Sequence, residues 1–526
     1  MTETAAAASA PRLPFPERRN PTYGAWAIAA LLAFAGMLIH LLTNSRYGYF
    51  RDELYFLACA DHLAWGYVDL APLIALIAKT SRVLLGDSLQ AIRFLPSLAG
   101  AVKILLTGMI AAELGARRFG TMLACLCALI APIFLAIDGL LSMNAFEPVF
   151  WMGCVYLLIL VIQRDDPRLL IGFGVLAGLG LENKHSTLFF GFAMVCGLLL
   201  SPARRLCASR YMWIAAALAL ALFLPNMIWQ HQHHWPTLED LANVKRMHKN
   251  VELPPLRFLG AQILMLNPVT ALVWLPGLWW LLRDRQAKPF RALGFAYVVF
   301  LALMMFLKGK DYYLAPFYPM LFAAGGVFWQ QLLDARPRAH FLKWAFPLVI
   351  AASGAVIAPV VLPILPVESL VRYQDALGIH PPRAEVHHTG VLPQHFGDQF
   401  GWKEMVAAVS AVFHALPPAE QSRAVIYAGN YGEAGAIDFF GPKLGLPKAI
   451  SAHQNYFFWG PRDSTGDVVI LLQSDRRGAE EHCASVTDGP TLNHPYAMGE
   501  EHYTILICRG LNSTFRELWP QLKHWN

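Results

Sequence analysis

Charge is scarce in this chain. Of its 526 residues only 15% are Asp, Glu, Lys or Arg, where an average soluble domain carries about 25%. Hydrophobic residues make up 56%, aromatics 12%, and mean hydropathy is +0.41. That balance excludes a disordered chain, a nucleic-acid-binding tail protein and a small disulfide scaffold; no nucleic acid is expected as a partner. The net charge of +6 is modest. No cysteine lies in a CxxC pair and no zinc-type spacing occurs. Cys125 and Cys127 sit in an apolar run as small packing residues. A GxGxxG or Walker motif is also missing. The first apolar run, 24–42, is too long for a signal-peptide core of about 7–15 residues and has no cleavage site after it, so it reads as an uncleaved span.

What the chain has is long hydrophobic runs. A spanning helix needs about 20 mostly apolar residues. Candidates are 24–42, 94–113, 119–138, 145–162, 169–182, 187–201, 212–229, 258–282, 291–307, 314–333 and 342–362, about eleven in all. The two around Lys184 are short and read either as a hairpin of tilted helices or as one broken segment. Arg117 and Arg118, Arg164 and Arg168, Arg204, Arg205 and Arg210, Arg283, Arg285 and Arg291, and Arg336 and Arg338 fall in alternate loops. With Arg18 and Arg19 they mark the cytoplasmic side. The expected organisation is a cytoplasmic tail 1–23, a membrane domain 24–362 with an external loop 43–93, and an external domain 363–526. Strand-like runs at Ala424–Ala428, Asp467–Leu472 and Tyr503–Cys508 make that last part a small α/β domain. Cys483 and Cys508 could pair there if the compartment is oxidising.

The external loops are not poor in positive charge, as the usual bias requires. They hold Arg46, Arg51, Lys79, Arg82 and Arg93, then Lys184, then Lys245, Arg246, Lys249 and Arg257, then Lys308 and Lys310. Anionic lipid phosphate is the obvious reason for keeping them; the plainer one is anchoring at headgroups. The first external loop is the most informative. It reads Tyr47-Gly48-Tyr49-Phe50-Arg51-Asp52-Glu53-Leu54-Tyr55, then Gly66-Tyr67-Val68-Asp69-Leu70-Ala71-Pro72-Leu73. Adjacent acids on a helix point about 100° apart, so one of Asp52 and Glu53 faces a site and the other meets a partner. A carboxylate there suits a general base; the alternative is a solvated acidic pair on an interfacial helix. Residues 71–86 form an amphipathic surface helix, with Lys79 and Arg82 on its polar face.

These residues resemble the GT-C membrane glycosyltransferases. More closely they resemble the bacterial protein-mannosyltransferase-like group, which includes the aminoarabinose transferases acting on lipid A. The resemblance rests on Asp52-Glu53-x-Tyr55, on Gly66-Tyr67-x-Asp69-x-x-Pro72-Leu73, and on Arg93-Phe94-Leu95-Pro96-Ser97. It continues at Ser142-Met143-Asn144-Ala145-Phe146-Glu147-Pro148, at Gly180–Ser186 and at Lys308–Pro319, and covers about 1–360. It implies a mainly α, polytopic membrane protein with a C-terminal extramembrane domain, in a bacterial inner membrane with that domain periplasmic. The implied reaction moves a sugar, with inversion, from a polyprenyl-phosphate donor to a lipid, glycan or protein acceptor. The resemblance carries the first-loop acid onto Asp52, with Glu53 beside it. The second acidic position falls at Asn144, which cannot act as a base; Glu147, one turn on, or Asp138 could substitute. The plain alternative for Asn144 is a helix N-cap. Arg51, Arg93, Lys184, Lys308, Lys310, Tyr312 and Tyr313 are the candidate ligands of the donor phosphate, and Tyr55, Asp69 and Pro72 complete the first-loop motif.

The chemistry fits those residue types. A lipid phosphate leaves readily, so cations must take up its growing charge and a carboxylate must take the acceptor proton. Loop 230–257 gathers His231, His233, His234 and His248 with Glu239 and Asp240. Their spacing matches no metal motif, and a divalent metal is left open. In the tail, Tyr427–Ala436 reads as strand, Gly/Asn-rich turn and helix: either a tight turn or amides aimed at an anion. Two rivals remain. A transporter or flippase of anionic glycolipids requires charges deep in the spans and paired halves. A receptor-like binding protein requires neither Asp52 nor the basic external turns.

Overall fold

The computed structural model describes residues 23–379 and 390–525. The expected tail 1–23 lies outside them but for Tyr23. Among the described residues six helices are long and apolar enough to cross a membrane: Tyr23–Thr43, Leu89–Glu113, Met143–Arg164, Arg210–Gln232, Lys288–Phe306 and Pro337–Val361. Counting each bent pair as one span gives up to eight. The difference from the eleven apolar runs has local causes. Leu170–Asn183 and Thr187–Leu199 have 14 and 13 residues, only about 20 Å of helix each. The run 119–138 is split at Ala131–Pro132. The run 258–282 turns by 99° between Met265 and Pro268, where Pro268 has no N–H to continue a helix.

The helix Tyr318–Asp334 runs through the middle of this bundle, buried without interruption from Tyr318 to Val327. It meets its neighbours backbone to backbone. A Cβ on Gly325 would lie 2.1 Å from the Val273 carbonyl oxygen, and one on Gly326 2.2 Å from that of Gly120. In lipid, where apolar surface gains nothing by pairing, such close approach at small residues holds helices together. The outer faces present Leu31, Phe34, Leu38, Trp213, Leu220, Trp344 and Leu348, a surface suited to hydrocarbon.

The C-terminal part is a small sheet domain. β1 (Ala424–Tyr427), β2 (Val468–Leu471), β3 (Cys483–Thr491) and β4 (Thr504–Leu511) lie in the order β1-β2-β4-β3. β1 and β2 are parallel, and β4 is antiparallel to β2 and β3. Side chains alternate between two cores. Ala424, Ile426, Val468 and Ile470 face the helices Trp402–Ala415 and Tyr431–Phe440. Val425, Tyr427, Val469 and Leu471 face the helix Phe515–Leu522. The three strand-like runs in the sequence became β1, β2 and β4. β3 gave no such signal because it is an exposed edge with Gly489 and Pro490 in it, residues that only an edge tolerates.

The first external loop belongs to the core of this domain. Its helices Arg51–Asp61 and Leu73–Leu85 bring Leu54, Tyr55, Leu57, Ile74, Ala75 and Ala78 into one cluster with Trp402, Val406, Ala434 and Ile437. This corrects the expected polar face of 71–86. Arg82 turns inward to Asp61 and Asp87, at 2.8 and 2.7 Å, while Leu76, Val83 and Leu84 face outward.

One ion pair pins the loop to the membrane bundle. Arg93 and Glu53 are 1% and 0% exposed. Arg93 Nε and Nη2 donate to the two Glu53 oxygens at 2.8 and 2.7 Å. Glu53 also accepts from the amides of Phe50 and Leu141, both at 2.8 Å. Arg93 donates further to the carbonyls of Asn44 and Gly48. Glu53→Gln leaves the Arg93 cation buried without its counter-charge, a loss of about 3–5 kcal/mol. The expected result is a sharp fall in the thermal midpoint of the detergent-solubilised protein; an unchanged midpoint contradicts the pinning role.

Cys483 and Cys508 are disulfide-bonded, with Cα atoms 5.7 Å apart. The other six cysteines are free. Denatured, unreduced protein should therefore take up six thiol labels, and eight after reduction. The bridge spans a sequence separation of 25, so Cys483→Ser should cost the domain roughly 3 kcal/mol, read as a lower unfolding midpoint.

Candidate active site

Asp52 is the second residue of the helix Arg51–Asp61, where the helix dipole favours an anion. It is half-buried and accepts a hydrogen bond from the Tyr431 hydroxyl at 2.8 Å. The ring of Tyr431 stacks on Tyr55 at 4.6 Å. The Tyr55 hydroxyl in turn donates to Asp69 Oδ1 at 3.0 Å and accepts from the Asn455 amide at 3.2 Å. Burial, then the nearby Asp240 and to a lesser degree Asp52, push the Asp69 carboxyl up to about 7, against the Tyr55 hydrogen bond. Asp240 is itself held by Gln454 Nε2 at 3.2 Å. Three carboxyl groups from the first loop and loop 230–257 thus share one region with polar side chains of the C-terminal domain.

A second, cationic region is built from other segments. The helix Met143–Arg164 starts beside the first loop, with Met143 and Phe146 against the first-loop core. Lys184 Nζ donates to Asn144 Oδ1 at 2.7 Å and to Glu147 Oε2 at 3.1 Å. It also faces the rings of Tyr313 and Tyr312, at 4.7 and 5.6 Å. Lys310 stands 6.0 Å from the Tyr312 ring. Ser186 binds the other oxygen of Glu147. Three separate segments therefore gather Asn144, Glu147, Lys184, Ser186, Lys310, Tyr312 and Tyr313.

Several expected site residues stand elsewhere. Glu53 and Arg93 neutralise each other without exposed surface, so neither is open to a substrate. Arg51 is buried against Glu500 and lies 5.0 Å over the Tyr431 ring. Burial works against its charge, but Tyr431, Glu500 and neighbouring acids outweigh it and hold the guanidinium firmly protonated. Asp138 is paired with Lys103 inside the bundle. Lys308 is exposed and bound to Glu252 at 2.7 Å. Pro72 caps the start of the helix Leu73–Leu85. Asn144 is not an N-cap: Ser142 is, accepting the Asn144 amide at 3.1 Å.

The histidine-rich loop does not assemble a metal site. His233 stacks on Trp229 at 4.1 Å, and Glu239 pairs with Lys523. Among the described residues no group of three or more His, Cys, Asp or Glu could hold a metal ion. The amides at the start of the helix Tyr431–Phe440 do not wait for an anion either. Asn430 Oδ1 takes those of Gly432 and Glu433, at 2.8 and 3.0 Å.

Residues that the sequence did not single out are Ser186, whose side chain holds Glu147, and Tyr431, Gln454 and Asn455, which the C-terminal domain carries to the first loop. Of the last three, Tyr431 lay in a segment with a signal, the Gly/Asn-rich turn within Tyr427–Ala436.

Known proteins match this architecture. A family model described as dolichyl-phosphate-mannose-protein mannosyltransferase matches residues 69–229. The chain is 25% identical over 458 residues to the lipid A galacturonosyltransferase RgtD of Rhizobium johnstonii, covering 84% of this chain and 89% of that protein. Its fold resembles ArnT from Cupriavidus metallidurans, solved bound to undecaprenyl phosphate and in the apo state, with a TM-score of 0.57 for each. Identity is 12% and 11%, over 92% and 91% of this chain and 98% and 97% of the other. At that identity the structural likeness speaks for the fold, and it runs through the bundle, the first loop and the sheet domain alike. By its fold, its matched segment and its full-length relative, this chain is similar to the membrane glycosyltransferases of the GT-C type.

Proposed function

We propose that the protein transfers a sugar from a polyprenyl-phosphate carrier to an acceptor on the periplasmic face of a bacterial inner membrane, with inversion at the anomeric carbon. Two observations carry this reading: a half-buried Asp52 held by a phenol, and a cluster of Lys184, Lys310, Tyr312 and Tyr313 drawn from separate segments. The undecaprenyl phosphate bound to ArnT supports the donor class. The name of RgtD supports a lipid as acceptor.

In this reading Asp52 takes the proton of the acceptor hydroxyl as its oxygen attacks the anomeric carbon. The new C–O bond forms on one face while the bond to the lipid phosphate breaks on the other. Lys184 and Lys310 receive the negative charge that develops on the leaving phosphate, and the two tyrosine hydroxyls offer it hydrogen bonds. Glu147, bound to both Lys184 and Ser186, holds the lysine in place rather than serving as a second base. Asn144 does the same from the other side. Asp69, with its raised pKa, spends part of its time neutral, so the site does not carry three full negative charges.

Asp52→Asn should lower turnover by roughly 10²–10⁴-fold with the protein still folded. The readout is mass spectrometry of product formed by purified variant added to a lipid extract of a deletion strain, which supplies donor and acceptor. Near-normal turnover removes Asp52 from the chemistry. Lys310→Gln should raise the amount of extract needed for half-maximal rate by roughly tenfold, through loss of a charge-assisted phosphate contact.

Sidedness has its own test. In a background without Cys196 and Cys207, Lys403→Cys should react with a membrane-impermeant maleimide in intact spheroplasts, and Arg285→Cys only after lysis. Equal labelling of both excludes the periplasmic site.

A further inference from the structure

The helix Tyr431–Phe440 of the C-terminal domain packs against the first loop, and its first residue points a phenol at Asp52. The approach is close. A Cβ on Gly435 would lie 2.8 Å from the carbonyl of Leu54, and one on Gly432 2.7 Å from Arg51 Cγ. Two positions without side chains let this helix lie against the backbone of the helix Arg51–Asp61. Its first turn is fixed as well. Asn430 caps the amides of Gly432 and Glu433, and Glu433 reaches back to the amides of Gly429 and Asn430, at 2.7 and 3.3 Å.

The Tyr431 ring is clamped on its faces. Tyr55 stacks at 4.6 Å, His453 stacks at 5.0 Å, and the Arg51 guanidinium carbon lies 5.0 Å from its centre. Packing alone would be served by phenylalanine, which fills the same space. The hydroxyl is the part that packing does not explain, and it lies 2.8 Å from Asp52 Oδ1. Burial, then the neighbouring Asp52, push the phenol far above its ordinary range, so it stays a donor at any physiological pH.

We infer that Tyr431 is a positioning residue for sugar transfer, contributed by the C-terminal domain and acting through Asp52. By holding one carboxylate oxygen it fixes the rotamer of Asp52. A hydrogen bond to a charged group also favours the ionised form, which is the form a base needs. The inference deepens the reading of Asp52 as the base and rests on it. It gives the domain a share in the chemistry that acceptor selection alone does not require.

The test is a double-mutant cycle of Tyr431→Phe, Asp52→Asn and the pair, each at equal folded protein, with the purified chain acting on the deletion-strain lipid extract. Tyr431→Phe should lower kcat about 10- to 100-fold, the worth of one hydrogen bond to a charged group. The apparent KM for the extract should change less than about twofold, because an interaction used in turnover rather than in binding leaves KM alone. In the Asp52→Asn background the same substitution should cost almost nothing further, because its route of action is already gone. Normal kcat in Tyr431→Phe beside a crippled Asp52→Asn overturns the inference and leaves Asp52 as the base. Losses that multiply in the pair overturn it too, since Tyr431 then acts independently. Near-normal Asp52→Asn overturns the reading of the base itself, and the inference with it. A loss in Tyr431→Phe expressed only in KM assigns the phenol to substrate binding and overturns a positioning role.

Discussion

The Arg93–Glu53 pair decides where everything else can stand. Removing two charges from water costs several kcal/mol per ion, which a buried pair recovers only when its remaining donors and acceptors are also satisfied. Here they are. Glu53 accepts four hydrogen bonds and Arg93 reaches three further carbonyl-type oxygens, on Asn44, Gly48 and Gln399. Those partners come from the end of the first span, the first loop, the start of the fourth expected span and the sheet domain. Any shift in one of these segments leaves a buried charge short of a partner. The pair is therefore less a source of stability than a lock on register, and Asp52 inherits its position from the residue beside it.

A division of labour follows from helical geometry. Two neighbouring acids cannot face the same way. Glu53 turns into the protein and is consumed there, and Asp52 turns toward the junction of loop, bundle and domain. The same logic operates at Lys184, where Asn144, Glu147 and Ser186 surround a single cation. Asp52 and Lys184 each have an escort that fixes them, Tyr431 and Glu147, and the escorts lie on different segments. Preorganisation of this kind lets a charge act without moving when the reaction demands it.

Much of this was legible in the sequence, because membrane constraints write themselves in composition. Apolar runs marked the bundle, and alternating β-type runs marked three of four strands. The first-loop motif pointed to Asp52, and the Lys184 and Lys310 turns to a cationic cluster. The failures share a physical origin: they concern partners distant in the chain. Nothing local in Asp52-Glu53 says which acid meets Arg93. Nothing local in Ser142-Met143-Asn144 decides which residue caps the helix. Asp138 looks like a site acid until Lys103 is brought beside it by the packing of spans. β3 lacked a pattern because an exposed edge imposes none. Tyr431 lay within a Gly- and Asn-rich turn whose purpose becomes visible only when two helices, almost 400 residues apart in the chain, are seen in contact at Gly435.

The shared core of the first loop and the sheet domain also sets an order of events during synthesis. The loop leaves the ribosome early, but Trp402, Val406, Ala434 and Ile437, which cover its Leu54, Tyr55 and Ile74, follow about 350 residues later. At roughly 5–20 residues per second that interval is some tens of seconds. Throughout it the loop carries an apolar face with no protein against it, and the adjoining bilayer is the nearest shelter. Leu76, Val83 and Leu84, which stay outward in the finished fold, give the helix Leu73–Leu85 a foothold there. Maturation then amounts to a transfer of custody, in which the newly made domain takes the apolar face of the loop into its own interior. A chain cut before that domain would leave the loop without the cover that Trp402, Val406, Ala434 and Ile437 provide.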